Sequence, residues 1–384
     1  MTNPYDPQNP AKPDYFGGRK HILEMAIQRI EKALMQRQSG GIMVYGHRGV
    51  GKTSLVHKIM NLTDKQTNNE AITIYRRLGK TISDTELYQI LTEELIEKID
   101  YRKNLIDRTK DAAKKLKSIK AYDIEFAITK EFKQKSPFHQ WRALIRDIKN
   151  VPFILIAIDD ADQLSHEALG ELKTIIEDQK NTPVLLLISG GIEFENKLVD
   201  DYSPIARAFS GAAFNLSEFI LEETKEALEK PVLGTTTKWD VEAIHEVQEL
   251  SRGYPYLVQC IASASHLDSG IITRKRVIEK IDAALKLGSP WLNHELQKAS
   301  DHDINCFLRI VDLDKDIFKS NEMTKVGIQP VYISRLINLG VIEQINRGRY
   351  RLLKPPIVAF YHSLKRGLIP SINRKGMQGK LPTS

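Results

Sequence analysis

The sequence has only two cysteines, Cys260 and Cys306, in 384 residues. Two thiols cannot build a disulfide framework, and neither belongs to a Cys-x-x-Cys pair that would hold zinc. A reducing, cytoplasmic location is therefore expected. Long hydrophobic runs are missing too. The longest unbroken apolar stretch, residues 153–158, is far short of the ~18 residues a membrane helix needs, so no membrane partner is expected. The first 20 residues are polar and proline-rich with no apolar core segment, so no secretory signal is expected. What is present is ordinary for a globular chain: 41% hydrophobic and 27% charged residues, which excludes wholesale disorder and collagen-like repeats.

Charge is unevenly placed. The whole chain carries a net +7, yet from Val331 to the end there are ten Lys/Arg and one acid, Glu343. That segment alone sums to +9, so the preceding 330 residues sum to −2. A local basic surface attracts phosphates of nucleic acid or lipid, or it is a solvated basic tail.

Prolines at positions 4, 7, 10 and 13 block helix formation and predict an extended arm over 1–18. Ile22, Leu23, Met25, Ala26, Ile27, Ile30, Ala33 and Leu34 then recur at helical spacing, and Ser39-Gly40-Gly41 is expected to stop that helix. Residues 42–45 form a short apolar strand. Further strands are expected at 71–75, 153–158, 183–188 and 212–216. Ser83 with Glu86 reads as a capping box opening a helix to about residue 99. Residues 102–135 hold eleven Lys/Arg against five acids; Ile124, Phe126 and Ile128 alternate like a strand after a helical stretch. Another helix is expected over 138–148. Unbroken apolar strands separated by helical patterns predict an open parallel α/β sheet over the first 220 residues or so. No convincing strand follows until about residue 341, so the middle reads as helical. Helix 331–339, strand 341–345, turn Asn346-Arg347-Gly348 and strand 349–353 close the pattern.

Gly46-His47-Arg48-Gly49-Val50-Gly51-Lys52-Thr53 fits G-x-x-x-x-G-K-[ST], directly after a strand and before a helical stretch starting at Ser54. Glycines there let successive backbone N–H groups converge on an anion, and the helix that follows directs its positive end at phosphate. Lys52 can reach the β/γ oxygens and Thr53 can ligate Mg²⁺. The strand 153–158 ends in Asp159-Asp160-Ala161-Asp162, at the sheet edge where ligands bind. Asp159 is placed to hold the Mg²⁺ shell, and Asp160 to polarise the attacking water. No Asn-Lys-x-Asp run follows the loop, which disfavours a GTPase, and nothing marks the acceptor of a small-molecule kinase.

With these motifs stands Arg252-Gly253-Tyr254-Pro255-Tyr256-Leu257. In this order they resemble bacterial and archaeal ATPases of the AAA+ superfamily, nearest the origin-recognition-like and the signal-transduction (STAND) types. Tyr15-Phe16-Gly17-Gly18-Arg19 is similar to an element that precedes the first helix in those families. The resemblance implies a P-loop NTPase domain over 19–219, a helical lid over 220–289, a winged helix over 290–366 and a basic tail over 367–384. It implies that Phe16 and Arg19 lie beside adenine, that Tyr254 and Pro255 reach the base from the lid, and that Ser189 takes the sensor-1 place near the γ-phosphate. It also implies that Arg207 stands where some relatives put an arginine serving a neighbouring subunit in a homo-oligomer, the alternative being a structural salt bridge. The chain departs from the pattern at Asp160, where origin-type proteins carry Glu, which suggests slow hydrolysis. Ser189 is an unusual sensor, and no arginine clearly fills the sensor-2 place. A winged helix further implies DNA contacts through Arg335, Arg347, Arg349 and Arg351, or else a lid or protein-docking role.

The expected function is therefore an ATP- and Mg²⁺-dependent, slowly hydrolysing switch. Two alternatives stand beside it: a DNA-binding ATPase of initiator, loader or mobile-element type, and a scaffold in which ATP is structural.

Overall fold

The computed structural model describes residues 3–79, 82–113, 136–148, 151–178, 182–194 and 204–368, with side chains described except over 100–113 and 204–206. The chain forms two compact units, Arg19–Ser217 and Met1–Gly18 with Glu218–Ser384.

The Arg19–Ser217 unit is built on five parallel strands: β1 (Gly40–Gly46), β2 (Ile72–Arg77), β3 (Ile154–Asp159), β4 (Val184–Gly190) and β5 (Ala213–Leu216). Their order across the sheet is β2-β3-β4-β1-β5. Every residue of β1, β3 and β4 is buried, which is why these strands read as unbroken apolar runs rather than alternating ones. The helices are α1 (Lys20–Gln36), α2 (Lys52–Gln66), α3 (Asp84–Ala113), α4 (Pro137–Asp147) and α5 (His166–Glu177). One face of the sheet packs under Leu87, Leu91 and Leu95 of α3 and Trp141, Leu144 and Ile145 of α4. The α1 and α2 helices pack on β1, β3 and β4 through Ile30, Leu55, Val56 and Ile59, all fully buried. Burying each such side chain contributes about 1.5–3 kcal/mol.

Two expectations are corrected here. Helix α1 does not end at the glycines: Arg37 stops it in the left-handed conformation (φ 54°), its N–H donating to Lys32 O. Gly40 and Gly41 lie inside β1. A Cβ at Gly41 would sit 2.5 Å from the Phe209 ring, so glycine there makes room for an aromatic neighbour. Helix α3 opens where expected, with Ser83 Oγ accepting from the Glu86 N–H at 3.2 Å, but runs on to Ala113 instead of ending near residue 99. The strand-like residues Ile124, Phe126 and Ile128 lie outside the described residues.

In the second unit the N-terminal arm is not extended throughout, since Pro13–Tyr15 form a 3₁₀ turn, which the fixed φ of its leading proline tolerates, and the arm is packed down. The Tyr5 hydroxyl donates to Leu228 O and accepts from Trp239 Nε1 at 2.8 Å. Lys230 Nζ donates to Phe16 O at 3.1 Å, and a Cβ at Gly17 would sit 2.4 Å from Ala227 N. Helices α6 (Leu221–Glu229), α7 (Val241–Ser251), α8 (Pro255–Ser265), α9 (Arg274–Glu279) and α10 (Ile281–Leu292) follow. Between them β6 (Thr237–Trp239) and β7 (Gly270–Ile272) pair in parallel, within a middle expected to be mostly helical with no convincing strand. Three-residue strands are too short to show alternation in sequence. The chain continues through α11 (Asp301–Val311), β8 (Ile317–Lys319), α12 (Ser320–Lys325), α13 (Pro330–Asn338), β9 (Ile342–Asn346), β10 (Arg349–Leu352) and α14 (Pro356–Lys365). The strands form an antiparallel sheet of order β8-β10-β9. Strand β8 was missing from the sequence reading for the same reason as β6 and β7.

Candidate functional site

The loop leaving β1 turns sharply at Gly46, where a Cβ would lie 2.7 Å from Leu216 O. It enters α2 through Gly51 at φ 92°, a conformation that L side chains rarely adopt. Between them Val50 is buried while His47 and Arg48 are exposed. Lys52 and Thr53 open the helix, with Ser54 behind them and Gly49 within the turn. Lys52 Nζ donates to Gly46 O at 2.8 Å and His47 O at 3.0 Å, so its ammonium lies against the loop itself. Burial pulls the Lys52 amine below its ordinary value, opposed by the carboxylates of Asp160, Asp162 and Asp159.

At the tip of β3 the Asp159 carboxylate is fully buried and collects three hydroxyls. Thr53 Oγ1 donates to its Oδ2 at 2.7 Å, Tyr75 OH donates to the same oxygen at 3.2 Å, and Ser189 Oγ donates to Oδ1. The Ser189 oxygen also accepts the Asp160 N–H at 3.3 Å. Thus Thr53, Asp159 and Ser189, from three elements, meet at one point. Asp160 itself sits in the left-handed region (φ 57°), which turns the chain out of β3. Its Oδ2 accepts from Arg77 Nε at 2.7 Å. Asp162 Oδ1 accepts the Gly191 N–H at 2.6 Å, tying the ends of β3 and β4 together. These groups surround a cleft of about 500 Å³ whose lining includes Gly46, Lys52, Arg77, Asp160, Asp162 and Gly191.

The donor set suits a hard divalent cation. Thr53 Oγ1 and Asp159 Oδ2 converge as two oxygen donors, the number a Mg²⁺ ion commonly takes from protein when phosphate and water complete its shell. Among the described residues no cluster of three His, Cys, Asp or Glu stands ready to cage a metal alone.

Tyr75 and Arg77 were not found from sequence. Both lie on β2, which neighbours β3 in the sheet; Arg77 pairs in register with Asp159. The predicted strand stopped at residue 75, two short of the one that matters. Burial is the chief reason the Tyr75 phenol is held well above its ordinary range, so it stays a hydrogen-bond donor.

The remaining expected site residues are spread over both units. Arg19 is buried, at φ 60°, with its guanidinium donating to Ser217 O. Arg207 lies on a 3₁₀ turn, Pro204–Phe209, exposed and without an ion-pair partner among the described residues. Phe16, Tyr254 and Pro255 belong to the other unit. There Gly253 (φ 73°) is crowded so closely that a Cβ would lie 2.0 Å from Phe219 O. Tyr254 is buried with its ring 4.7 Å from that of Trp291, and Pro255 begins α8. Arg252 (φ 48°) donates to Asp316 at 2.7 Å, joining this turn to the residue before β8.

The four arginines expected on DNA differ among themselves. Arg335 donates from Nε and Nη2 to the two oxygens of Asp303, at 2.8 and 2.7 Å. Arg351 pairs with Glu343 at 3.0 Å on the surface. Arg347 and Arg349 are exposed without an ion-pair partner among the described residues.

With this geometry in place, comparison with known proteins locates the fold. Residues 16–188 match the family profile described as AAA ATPase domain. Solved structures similar to this chain include the ORC2 protein of Aeropyrum pernix, at 13% identity and a TM-score of 0.54, covering 95% of this chain and 98% of that one. The Walker-type ATPase PABY2304 of Pyrococcus abyssi aligns at 16% identity and a TM-score of 0.53, covering 93% and 99%. Cdc6p of Pyrobaculum aerophilum aligns at 12% identity and a TM-score of 0.50, covering 94% and 96%. No curated protein sequence matches. At these identities the likeness shows a shared α/β fold with a central parallel sheet. Among the described residues no helix is long and apolar enough to cross a membrane.

Proposed function

We propose that the chain is an ATPase switch that binds ATP with Mg²⁺ in the cleft at the end of β1 and β3 and hydrolyses it slowly. The observation that carries this reading is the 2.7 Å hydrogen bond from Thr53, beside Lys52 at the start of α2, to the buried Asp159 at the end of β3. The loop amides and the N-terminus of α2 gather the β- and γ-phosphates, and Lys52 leaves its carbonyl partners to meet them. Thr53 and Asp159 would hold Mg²⁺, which neutralises charge developing on the phosphate oxygens. Asp160 accepts a proton from the attacking water as its oxygen bonds to the γ-phosphorus. The bond to the β–γ bridging oxygen breaks, and ADP and phosphate leave. Ser189 holds the backbone of Asp160 in place for this. Mg²⁺-dependent phosphate release tests the reading, and its absence under every condition of partner and nucleic acid would leave only the scaffold.

Arg77 restrains that base. A carboxylate oxygen held by a guanidinium 2.7 Å away cannot swing freely toward a water on the γ-phosphate. In steady-state assays Arg77→Ala is expected to raise kcat. It is also expected to raise KM, because Arg77 lines the phosphate cleft. A fall in kcat would instead make Arg77 part of transition-state stabilisation.

Several features support a switch. Nucleotide can shift the protein between two states only through differential affinity. Arg252 links the Gly253-Tyr254-Pro255 turn to Asp316, giving that turn a direct line to the C-terminal sheet. We read α11 to β10 as a winged helix from its helix–strand–helix–helix–strand–strand order. Arg207, exposed and unpaired among the described residues, has the freedom a residue serving a neighbouring copy requires.

A second reading, in which the chain engages duplex DNA, is favoured by the +9 balance beyond residue 330 and by the exposed Arg347 and Arg349. Binding that weakens steeply with salt is its signature.

A further inference from the structure

Helix α13 is the element a winged helix would lay against DNA, yet it has almost nothing to offer a phosphate. Its one cation is Arg335, and Asp303 holds the Nε and Nη2 edge of that guanidinium. Asp303 is itself buried and also accepts from Ser300 N at 2.8 Å and Ser300 Oγ at 2.7 Å. Withdrawing Arg335 would leave a buried carboxylate without its countercharge, which is costly. The rest of the exposed surface of α13 is Pro330, Val331, Ser334 and Asn338, all uncharged.

Cations gather elsewhere on the same sheet. A cleft of about 410 Å³ between β8, α12 and β10 is lined by Lys315, Lys319, Lys325 and Arg349 against a single acid, Glu322. Glu322 is already committed: it pairs with Lys315 at 2.5 Å and accepts the Lys319 N–H at 2.7 Å, which caps α12. Among the described residues Lys319, Lys325 and Arg349 have no ion-pair partner. Moreover, Arg349 stands directly opposite Lys319 in the β10–β8 ladder. Both side chains face outward while their neighbours Tyr350 and Phe318 are buried. Like charges directly opposite on antiparallel strands destabilise the sheet, and a polyanion laid across them removes that repulsion. Ser320 N donates to Gly348 O at 3.0 Å, so the β9–β10 turn carrying Arg347 is fastened to the edge of this cleft.

The geometry points to this cleft, rather than α13, as the place where the chain grips the phosphate backbone of duplex DNA. The inference rests on the DNA reading given above and changes its residues: Lys319, Lys325 and Arg349 act, with Arg347 beside them, and Arg335 does not. A duplex is favoured over an acidic peptide because the cleft sets four cations against one committed acid, and Arg349 and Lys319 stand side by side on its strands as a row that evenly spaced phosphates can match. Evenly charged phosphates engage such a row whatever the sequence, so this grip positions DNA without reading bases.

The test compares the full chain with Lys319→Ala/Lys325→Ala, using a fluorescent duplex titrated from about 50 to 200 mM salt. The parent chain should bind with a steep salt dependence. The double variant should bind roughly tenfold more weakly per lysine near 100 mM salt, with the log–log salt slope shallower by about 2. Lys319→Arg/Lys325→Arg should retain parental binding. The alanine variant should unfold at the parental temperature or slightly above it, since the repulsion from Arg349 is gone, so weaker binding cannot be blamed on unfolding. Parental affinity and slope in the alanine variant, with the parent binding well, would overturn the cleft and leave the DNA reading standing. A parent chain that binds polyglutamate but no duplex, or that binds no duplex at all, would overturn both.

Discussion

Asp160→Asn should release phosphate about 10²–10⁴-fold more slowly than the parent chain while binding ATP nearly as well. The substitution is chosen to isolate one property. Asparagine tolerates the left-handed backbone that Asp160 adopts (φ 57°), so the exit from β3 is preserved. Its amide oxygen can still accept from Arg77, and its N–H can still donate to Ser189. What is lost is the negative charge, and with it the ability to take a proton and the ionic part of the pairing with Arg77. Steady-state phosphate release beside equilibrium ATP binding separates the two effects. Parental turnover would mean that another group polarises the water. The neighbouring change, Asp159→Asn, is a poor substitute for this test. It would disturb the contacts with Thr53, Tyr75 and Ser189 together and so confuse binding with chemistry.

Asp303→Ala should destabilise the C-terminal module by about 2–3 kcal/mol. That range combines a lost N-cap partner with lost charge-assisted hydrogen bonds. Ser300 and Asp303 form a reciprocal cap at the start of α11, and Arg335 adds two further bonds from α13. Half of the Arg335 side chain remains in water, so it can be rehydrated once released, which keeps the loss near a helix cap rather than a fully buried pair. Faster amide hydrogen exchange across Asp301–Val311 would report it. Acid gives the same signature. The Arg335 guanidinium, with help from Ser300, holds the Asp303 carboxyl well below the usual carboxylate range. A depressed folded-state value means that the stabilisation is present above the unfolded carboxylate value of about 3.9 and is lost as pH falls from there through the folded one. The parent chain should therefore show increasing exchange in α11 below about pH 4, and Asp303→Ala should lose this acid dependence.

The parts of the site that chain order dictates were legible in the sequence. Gly46 is needed because a Cβ would meet Leu216 O, and Gly51 because its φ of 92° suits no other residue well, and such needs show in a single row of letters. Strands β1, β3 and β4 were equally plain, because burial on both faces demands unbroken apolar runs. What stayed hidden depends on which strand lies beside which. Arg77 reaches Asp160 only because β2 neighbours β3, and nothing in residues 71–77 announces that neighbour. Arg335 shows the same blindness with the opposite consequence. The winged-helix resemblance put it among the expected DNA contacts, and nothing in the sequence showed that an acid 32 residues earlier in the chain pairs with it. Local charge sums see how many cations there are, not which are already paired. The short strands β6, β7 and β8 fail for a third reason, since their pairing across the sheet, rather than their own pattern, makes them strands.

Every reading of the cleft at the end of β1 and β3 requires a triphosphate to be held where α2 begins. Calorimetric titration of Mg²⁺–ATP into the parent chain and into Lys52→Ala measures that directly. Lys52 already rests on Gly46 O and His47 O, so its removal spares the packing around Asp159. The account predicts saturable binding by the parent chain and about 10–100-fold weaker binding by the variant, the loss expected for charge-assisted bonds to phosphate. Equal affinity in the two proteins would contradict it.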